Sequence, residues 1–211
     1  MSGISDVIVI GLTGQSGAGK TTVCDVFREN GFAIINADLI SREVMQKGHP
    51  CLNEIFDAFS EEDIALPDGS LDRRKLAEIV FKDKGKLNLL TSINFPYITE
   101  RILEEIKKYS ANGEKFILLD APTLFESRAD DFCDLIISVI ADEKIRLNRI
   151  IKRDSISEEL ALNRLSCQYN DDFYINNSDF IIKNNKSIEV LKEKAKEVSD
   201  KIKEYYNAKE A

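Results

Sequence analysis

Histidine occurs once in this chain of 211 residues, as His49, and the four cysteines (Cys24, Cys51, Cys133, Cys167) stand far apart with no C-x-x-C pair. So few soft donors assemble no zinc site. They frame no disulfide scaffold either, and reduced thiols in a cytoplasmic protein are the expectation. Long apolar runs are also missing: nothing approaches the roughly 18 residues that a membrane span needs. The opening "MSGISD" lacks a basic stretch, and the apolar run after it is only about six residues long, too short for a secretory signal. Basic charge is scarce, with 29 Lys and Arg against 37 Asp and Glu for a formal net charge of −8. A general nucleic-acid binder normally carries a basic footprint, so no nucleic-acid partner is expected. A small anion stays admissible, because a local cluster of donors can hold one inside an acidic protein.

What is present is an alternation of short apolar runs and longer amphipathic stretches. "VIVIGL" (7–12), "FAIIN" (32–36), "FILLD" (116–120), "LIISVI" (135–140) and "DFIIK" (179–183) are rich in β-branched residues. Such unbroken runs suit parallel strands covered on both faces. The stretches between them supply crossover helices, beginning with "TTVCDVFREN", which Gly31 is placed to end. The pattern predicts an α/β protein: a parallel five-stranded sheet layered by helices. About eighty residues separate the second and third runs, far more than a crossover requires. They contain the helical pieces "LISREVMQK" and "RKLAEIVFKDKGKLNLL", with a turn at "PDG" (67–69). A second helical insertion, "DEKIRLNRIIKRDSISEELALNRLSCQ", follows the fourth run. A single domain is expected, with a core of about 1–38, 115–142 and 178–211, an insertion of about 39–114 and a lid of about 143–177. In the closing helix, Ile188, Leu191, Ala195, Val198, Ile202 and Tyr205 recur three and four apart as one apolar stripe.

Between the first strand and its helix lies "GQSGAGKTT", where Gly14, Gly19, Lys20 and Thr21 satisfy G-x-x-x-x-G-K-[ST]. Glycines let backbone N–H groups turn toward an anion, the new helix adds its positive end, and Gly14, Ser16, Gly17, Ala18, Gly19, Lys20, Thr21 and Thr22 are the expected nucleotide-binding residues. Lys20 reaches the outer phosphates of a nucleotide and Thr21 offers a hydroxyl to magnesium. A strand before and an amphipathic helix after are the context this motif requires. The loop is therefore expected to bind a nucleotide with magnesium, which by itself does not distinguish a transferase from a switch.

Two aspartates sit where ligands collect in an open α/β sheet, at the carboxyl ends of strands. Asp38 follows the second strand and suits the acceptance of a hydroxyl proton, while Asp120 closes the third and suits magnesium. Each has a plainer use open to it: Asp38 as a helix cap, Asp120 as a turn residue. Arg146, Arg149 and Arg153 fall on one face of a helix, and Arg164 follows in the same insertion. These arginines suit a lid that closes on phosphate, or a solvated face paired with Glu158 and Glu159.

Taken together the motifs resemble the dephospho-coenzyme A kinase family, in the family's order, from about Val7 to Leu191. "NADLISREV", "DGSLDRRKLAEIVF", "DAPTLFES", "RIIKRDSISEELALNRLSCQ" and "SDFIIKNNKS" carry the resemblance beside the loop. It implies a P-loop nucleotide kinase fold with ATP and Mg2+ as cofactors, and transfer of the ATP γ-phosphate to the ribose 3′-hydroxyl of dephospho-coenzyme A. By the same resemblance Asp38 acts on that hydroxyl. Arg42, Arg73, Leu124, Phe125 and Glu126 belong to acceptor-facing segments. Arg149 and Arg153 are lid arginines that act with Lys20 in catalysis, and Asn184 lies near the adenine. Two positions depart from the family pattern, Phe95 in "NFPYI" for a histidine and Thr123 for a leucine, both on the acceptor side. The implied form is a monomer or weak homo-oligomer. A nucleoside or nucleoside-monophosphate kinase and a non-transferring nucleotide switch are the competing readings. The switch would need N-K-x-D, and "NNKSI" has Ile188 where the aspartate belongs.

Overall fold

The computed structural model describes residues 7–210; the "MSGISD" opening and Ala211 lie outside the described residues. Five strands, β1 (Ile8–Gly14), β2 (Ala33–Asn36), β3 (Phe116–Asp120), β4 (Leu135–Ile140) and β5 (Phe180–Lys183), form one sheet in the order β2-β3-β1-β4-β5. β1 lies at the centre, with Leu12 beside Asp120 of β3 and Gly14 beside Val139 of β4, both parallel. Helices α1 (Lys20–Glu29), α2 (Ala37–Val44), α3 (Pro50–Ala58), α4 (Arg73–Val80), α5 (Lys84–Ala111), α6 (Glu143–Asp154), α7 (Glu158–Ser166), α8 (Asp171–Asn176) and α9 (Ile188–Glu210) complete the described chain. The parallel five-stranded α/β sheet expected from the apolar runs is the one found.

Two strands begin with the same device. Asp134 donates its N–H to the Val9 carbonyl (2.7 Å) and accepts the Val9 N–H on its carboxylate (2.8 Å), just before β4. Asp179 does the same with Ile136 ahead of β5, at 2.9 and 2.8 Å. The carboxylate extends the ladder by one bond where the strand has not yet begun, which sets its register.

Contacts divide the chain into two compact units, with boundaries after Ile35 and after Lys108. In the sheet-bearing unit, β1, β3 and β4 contribute Ile10, Leu12, Leu118, Ile137 and Val139 to a core closed by Val23 and Phe27 of α1 and by Leu191, Ala195 and Ile202 of α9. The expected stripe on α9 holds in its middle and fails at both ends, where Ile188 and Tyr205 are exposed. A spacing of three and four averages 3.5, so the stripe drifts around a straight helix of 3.6 residues per turn. Tyr206, about three full turns from Ala195, takes the packing place that Tyr205 loses.

The other unit, residues 36–108, is helical, with one small hairpin bridging Ala65 and Leu71 around the 67–69 turn. Its helices are capped by side chains: Asn36 accepts from Leu39, His49 Nδ1 from Cys51 and Asp72 from Lys75. Such caps satisfy orphan N–H groups at about 1 kcal/mol each. The piece "RKLAEIVFKDKGKLNLL", expected as one helix, breaks in two. α4 stops at Val80, and the Asp83 carboxylate takes the N–H groups of Gly85 and Lys86 to start α5.

Candidate active site

The loop from Gln15 to Gly19 leaves the central strand and enters α1 with no side-chain cap, since Gly19 is the cap residue and sits at φ 102°. The N–H groups of Gly17, Gly19, Lys20 and Thr21 donate to no protein acceptor among the described residues. Unpaired N–H groups at a helix start, beside the positive end of its dipole, form an anion cradle. Gly14 is dictated by the sheet itself. At φ 145°, a Cβ there would lie 2.2 Å from the Val139 carbonyl oxygen of the neighbouring strand. The Ala18 N–H closes a turn onto the Gln15 carbonyl (3.0 Å), which keeps the loop wound.

Lys20 and Asp120 meet in an ion pair, with side chains only 15% and 10% exposed. Register explains it: Asp120 ends β3 beside Leu12, and Lys20 begins the helix that follows β1. The turn-residue use of Asp120 is thus not its main one. No group of three or more His, Cys, Asp or Glu able to hold a metal occurs among the described residues. Magnesium typically takes one or two protein oxygens and several from phosphates and water. Asp120 supplies a carboxylate beside the loop and Thr21 an exposed hydroxyl in the first turn of α1, a hard-oxygen set of that kind.

Arg149 lies against the loop from α6. Its guanidinium donates to the Gly17 carbonyl (3.2 Å) and to the Asn184 carbonyl and Oδ1 (3.3 and 3.4 Å). Asn184 is buried just beyond β5 and donates from Nδ2 to the Ala18 carbonyl (2.7 Å). Gly19, Thr22, Arg149, Asn184, Ile188 and Leu191 line a cavity of about 230 Å³. Arg149, Asn184 and the loop, expected together, are together.

The remaining arginines divide along the helix. Arg146 is 6% exposed, donates from Nε to the Ala141 carbonyl (2.8 Å), and leaves Nη1 without a hydrogen-bond partner. Arg153 instead forks onto Asp154 (2.7 and 2.8 Å), which also pairs with Arg164. Glu158 and Glu159, expected as partners, are not the ones used. The three arginines share a face, but α6 rises about 1.5 Å per residue, so Arg153 lies roughly 10 Å further along the axis than Arg146.

Of the acceptor-facing residues expected after β3, Leu124 is fully buried: a Cβ on Gly11 would come within 2.9 Å of its Cδ2. Its side chain is core, and only Phe125 and Glu126 remain accessible there. Phe125 packs edge-on against Phe173 of α8 at 5.1 Å between centroids. In the helical unit, Asp38 occupies the first turn of α2 and is exposed, its carboxylate engaged by no group among the described residues. The capping use is excluded, because Asn36 is the cap. Arg73 donates to the Arg42 carbonyl (2.8 Å), so these two expected residues adjoin.

Three residues around the loop have no role assigned by motif or periodicity, although Gln15 stands inside the loop motif and Gln168 ends the stretch "RIIKRDSISEELALNRLSCQ". Gln15 is buried, donates to Asp171 (2.7 Å) and accepts from Ala141 (3.3 Å); Gln168 accepts the Ser16 N–H (2.9 Å). Partners about 150 positions apart leave no mark that spacing alone can reveal.

Comparison with known proteins adds independent findings. The family model described as dephospho-CoA kinase matches residues 8–189. Dephospho-CoA kinase of Arabidopsis thaliana is 38% identical over 190 residues, covering 90% of this chain and 82% of that protein. The Fusobacterium nucleatum protein of the same name is 38% identical over 196 residues, covering 93% and 99%. Among solved structures, TT1252 from Thermus thermophilus superposes with a TM-score of 0.79 at 28% identity, covering 92% of this chain and 97% of that one. Dephospho-CoA kinase from Campylobacter jejuni gives a TM-score of 0.60 at 27% identity, covering 92% and 96%.

Proposed function

The chain belongs to the dephospho-CoA kinase family, and on that premise we propose how its own residues carry out the ATP-dependent phosphorylation of dephospho-CoA. The observation that carries the reading is the Lys20–Asp120 pair beside an uncapped helix start, a cation and a carboxylate ready at one anion cradle. ATP places its phosphates against the free N–H groups of Gly17, Gly19, Lys20 and Thr21, with Ser16, Ala18 and Thr22 completing the loop. Lys20 exchanges its carboxylate partner for a phosphate oxygen. Thr21 and Asp120 would hold magnesium, which neutralises charge on the phosphates when bound. Arg149 has only long hydrogen bonds to give up and turns toward the moving phosphoryl group. Arg153 joins it by leaving Asp154 as the α6–α7 end of the 143–177 lid segment closes. Asn184 and the cavity beside it receive the adenine.

As the family resemblance implies, Arg42, Arg73, Phe125 and Glu126 are contacts of the acceptor. Leu124 supports them from the core. Asp38 orients the ribose 3′-hydroxyl and accepts its proton late, since a loose transition state asks little of a base. An exposed, unengaged carboxylate supports that role. No helix among the described residues is long and apolar enough to cross a membrane. A cytoplasmic enzyme, monomeric or weakly self-associating, is the form this reading takes, and the free cysteines are compatible with it.

The test is ADP release from ATP and magnesium with dephospho-CoA, adenosine or AMP as acceptor. Stimulation by dephospho-CoA alone, with coenzyme A as product, is expected. Equal stimulation by adenosine or AMP would reassign the acceptor. Asp38→Ala is expected to lose about 10²- to 10⁴-fold in turnover while keeping ATP affinity. Normal turnover would remove Asp38 from the chemistry.

A further inference from the structure

We infer that Gln168 and Asp171 are positioning residues of the phosphate loop, holding it from the α7–α8 connection and the first residue of α8. The inference deepens the proposed function and rests on its assignment of the loop to nucleotide phosphates. The loop's first two residues are each gripped from there. The Gln168 side-chain oxygen accepts the Ser16 N–H at 2.9 Å, and the Asp171 carboxylate accepts the Gln15 amide N–H at 2.7 Å. Gln15 is buried and bonded on three sides. Its backbone N–H reaches the Val139 carbonyl (3.1 Å), and its side-chain oxygen takes the Ala141 N–H (3.3 Å). Asp171 therefore completes a bridge from β4 through Gln15 to α8.

The grip is itself fixed. Tyr169, between the two gripping residues, stacks on Phe173 with ring centroids 3.7 Å apart, and Phe173 packs against Phe125 at 5.1 Å. Asn170 caps α8 by accepting the Phe173 N–H at 2.9 Å. Ser16 and Gln15 immediately precede the free N–H groups of Gly17, Gly19, Lys20 and Thr21. Releasing either bond lets that turn rotate and misaim those donors, and a cradle loses affinity for phosphate when its donors are not preorganised. Neither side chain touches the nucleotide; both act through the loop.

The expected signature is selective loss of affinity for nucleotides with outer phosphates. Dissociation constants for ATP, ADP and AMP are measured calorimetrically, with magnesium, on the full chain, beside KM and kcat. Gln168→Ala is expected to weaken ATP and ADP by roughly five- to tenfold, the size of one lost hydrogen bond, with AMP changed less than about twofold. Asp171→Ala should do the same, and Asp171→Asn should restore most of the loss, because an amide oxygen still accepts from Gln15. The ATP KM should rise more than kcat falls. The inference is overturned if ATP affinity is unchanged, if AMP weakens equally, or if Asp171→Asn is as poor as Asp171→Ala. Should Gln168→Ala not fold, the near-isosteric Asp171→Asn and its alanine counterpart decide the matter alone. A wild-type protein that binds AMP as tightly as ATP would instead undo the phosphate-loop assignment, which separates that failure from this one.

Discussion

The phosphate loop and the outer end of the α6–α7 pair beside it are held by opposite means. The loop is held from the interior: strand register, a carbonyl 2.2 Å from where a Gly14 Cβ would stand, and partners on three sides of buried Gln15. Helices α6 and α7 share only a small core, Ile150, Ala161 and Leu165, and their outer ties are the Arg153–Asp154–Arg164 side-chain contacts at the surface. Backbone close-packing has almost no alternative arrangement, whereas exposed ion pairs exchange with water at little cost. A site for phosphoryl transfer needs both, a rigid cradle and a cover that opens.

That contrast can be broken at several points. The largest effect is expected at Lys20, where Lys20→Ala should lower kcat about 10²- to 10³-fold in the ADP-release assay. Activity near wild type would mean the Lys20–Asp120 pair is structural only. Gly14→Ala comes next, placing a methyl against the Val139 backbone. A loss of about 2–3 kcal/mol or more in urea unfolding is expected, and an unchanged midpoint would show that the loop yields more readily than its packing implies. Within α6, Arg149→Lys should cost roughly tenfold in kcat/KM, because one ammonium cannot span Gly17 and Asn184 as a guanidinium does. Arg153→Lys should cost less, and the reverse ranking would move the working arginine to the outer end of the helix.

The smallest effect concerns acid. The Arg153 hydrogen bond, with Arg164 adding to it against a lesser opposing effect of burial, holds the Asp154 carboxyl down to about 2. A carboxyl depressed in the folded state stabilises above its ordinary range and loses that contribution as the pH falls from about 4 toward 2. Wild-type stability to urea should therefore fall slightly more steeply over that interval than that of Asp154→Asn. Parallel curves would show that the clamp carries no net stability, as many exposed pairs do not.

The strands were legible because buried parallel strands must be apolar throughout. β3 and β4 coincide with their runs, and the others differ by one or two residues at an end. The break at 81–83 was not, since "FKD" is a tolerable helical tripeptide until Asp83 is seen capping the next helix. Arg149 and Asn184 were legible through resemblance, and their meeting at the loop is a contact no spacing encodes. Leu124 illustrates the opposite failure, a residue placed in a functional segment whose side chain faces the core because Gly11 leaves room for it.

By itself the sequence determined the first strand, the glycine-lysine loop after it, the succession of strands and helices along the chain, and the family. Each of these is written in local pattern: apolar runs, a fixed motif, residues a few positions apart. Only the tertiary structure decided that Lys20 rests on Asp120, that Asn36 rather than Asp38 caps α2, that Arg146 is buried while Arg153 is not, and that Gln168 and Asp171 grip the loop. Apart from the α2 cap, which turns on where that helix begins, these depend on the register of neighbouring strands and the rise of one helix past a loop, and chain separations of 100 residues or more carry the pairings of Lys20, Ser16 and Gln15.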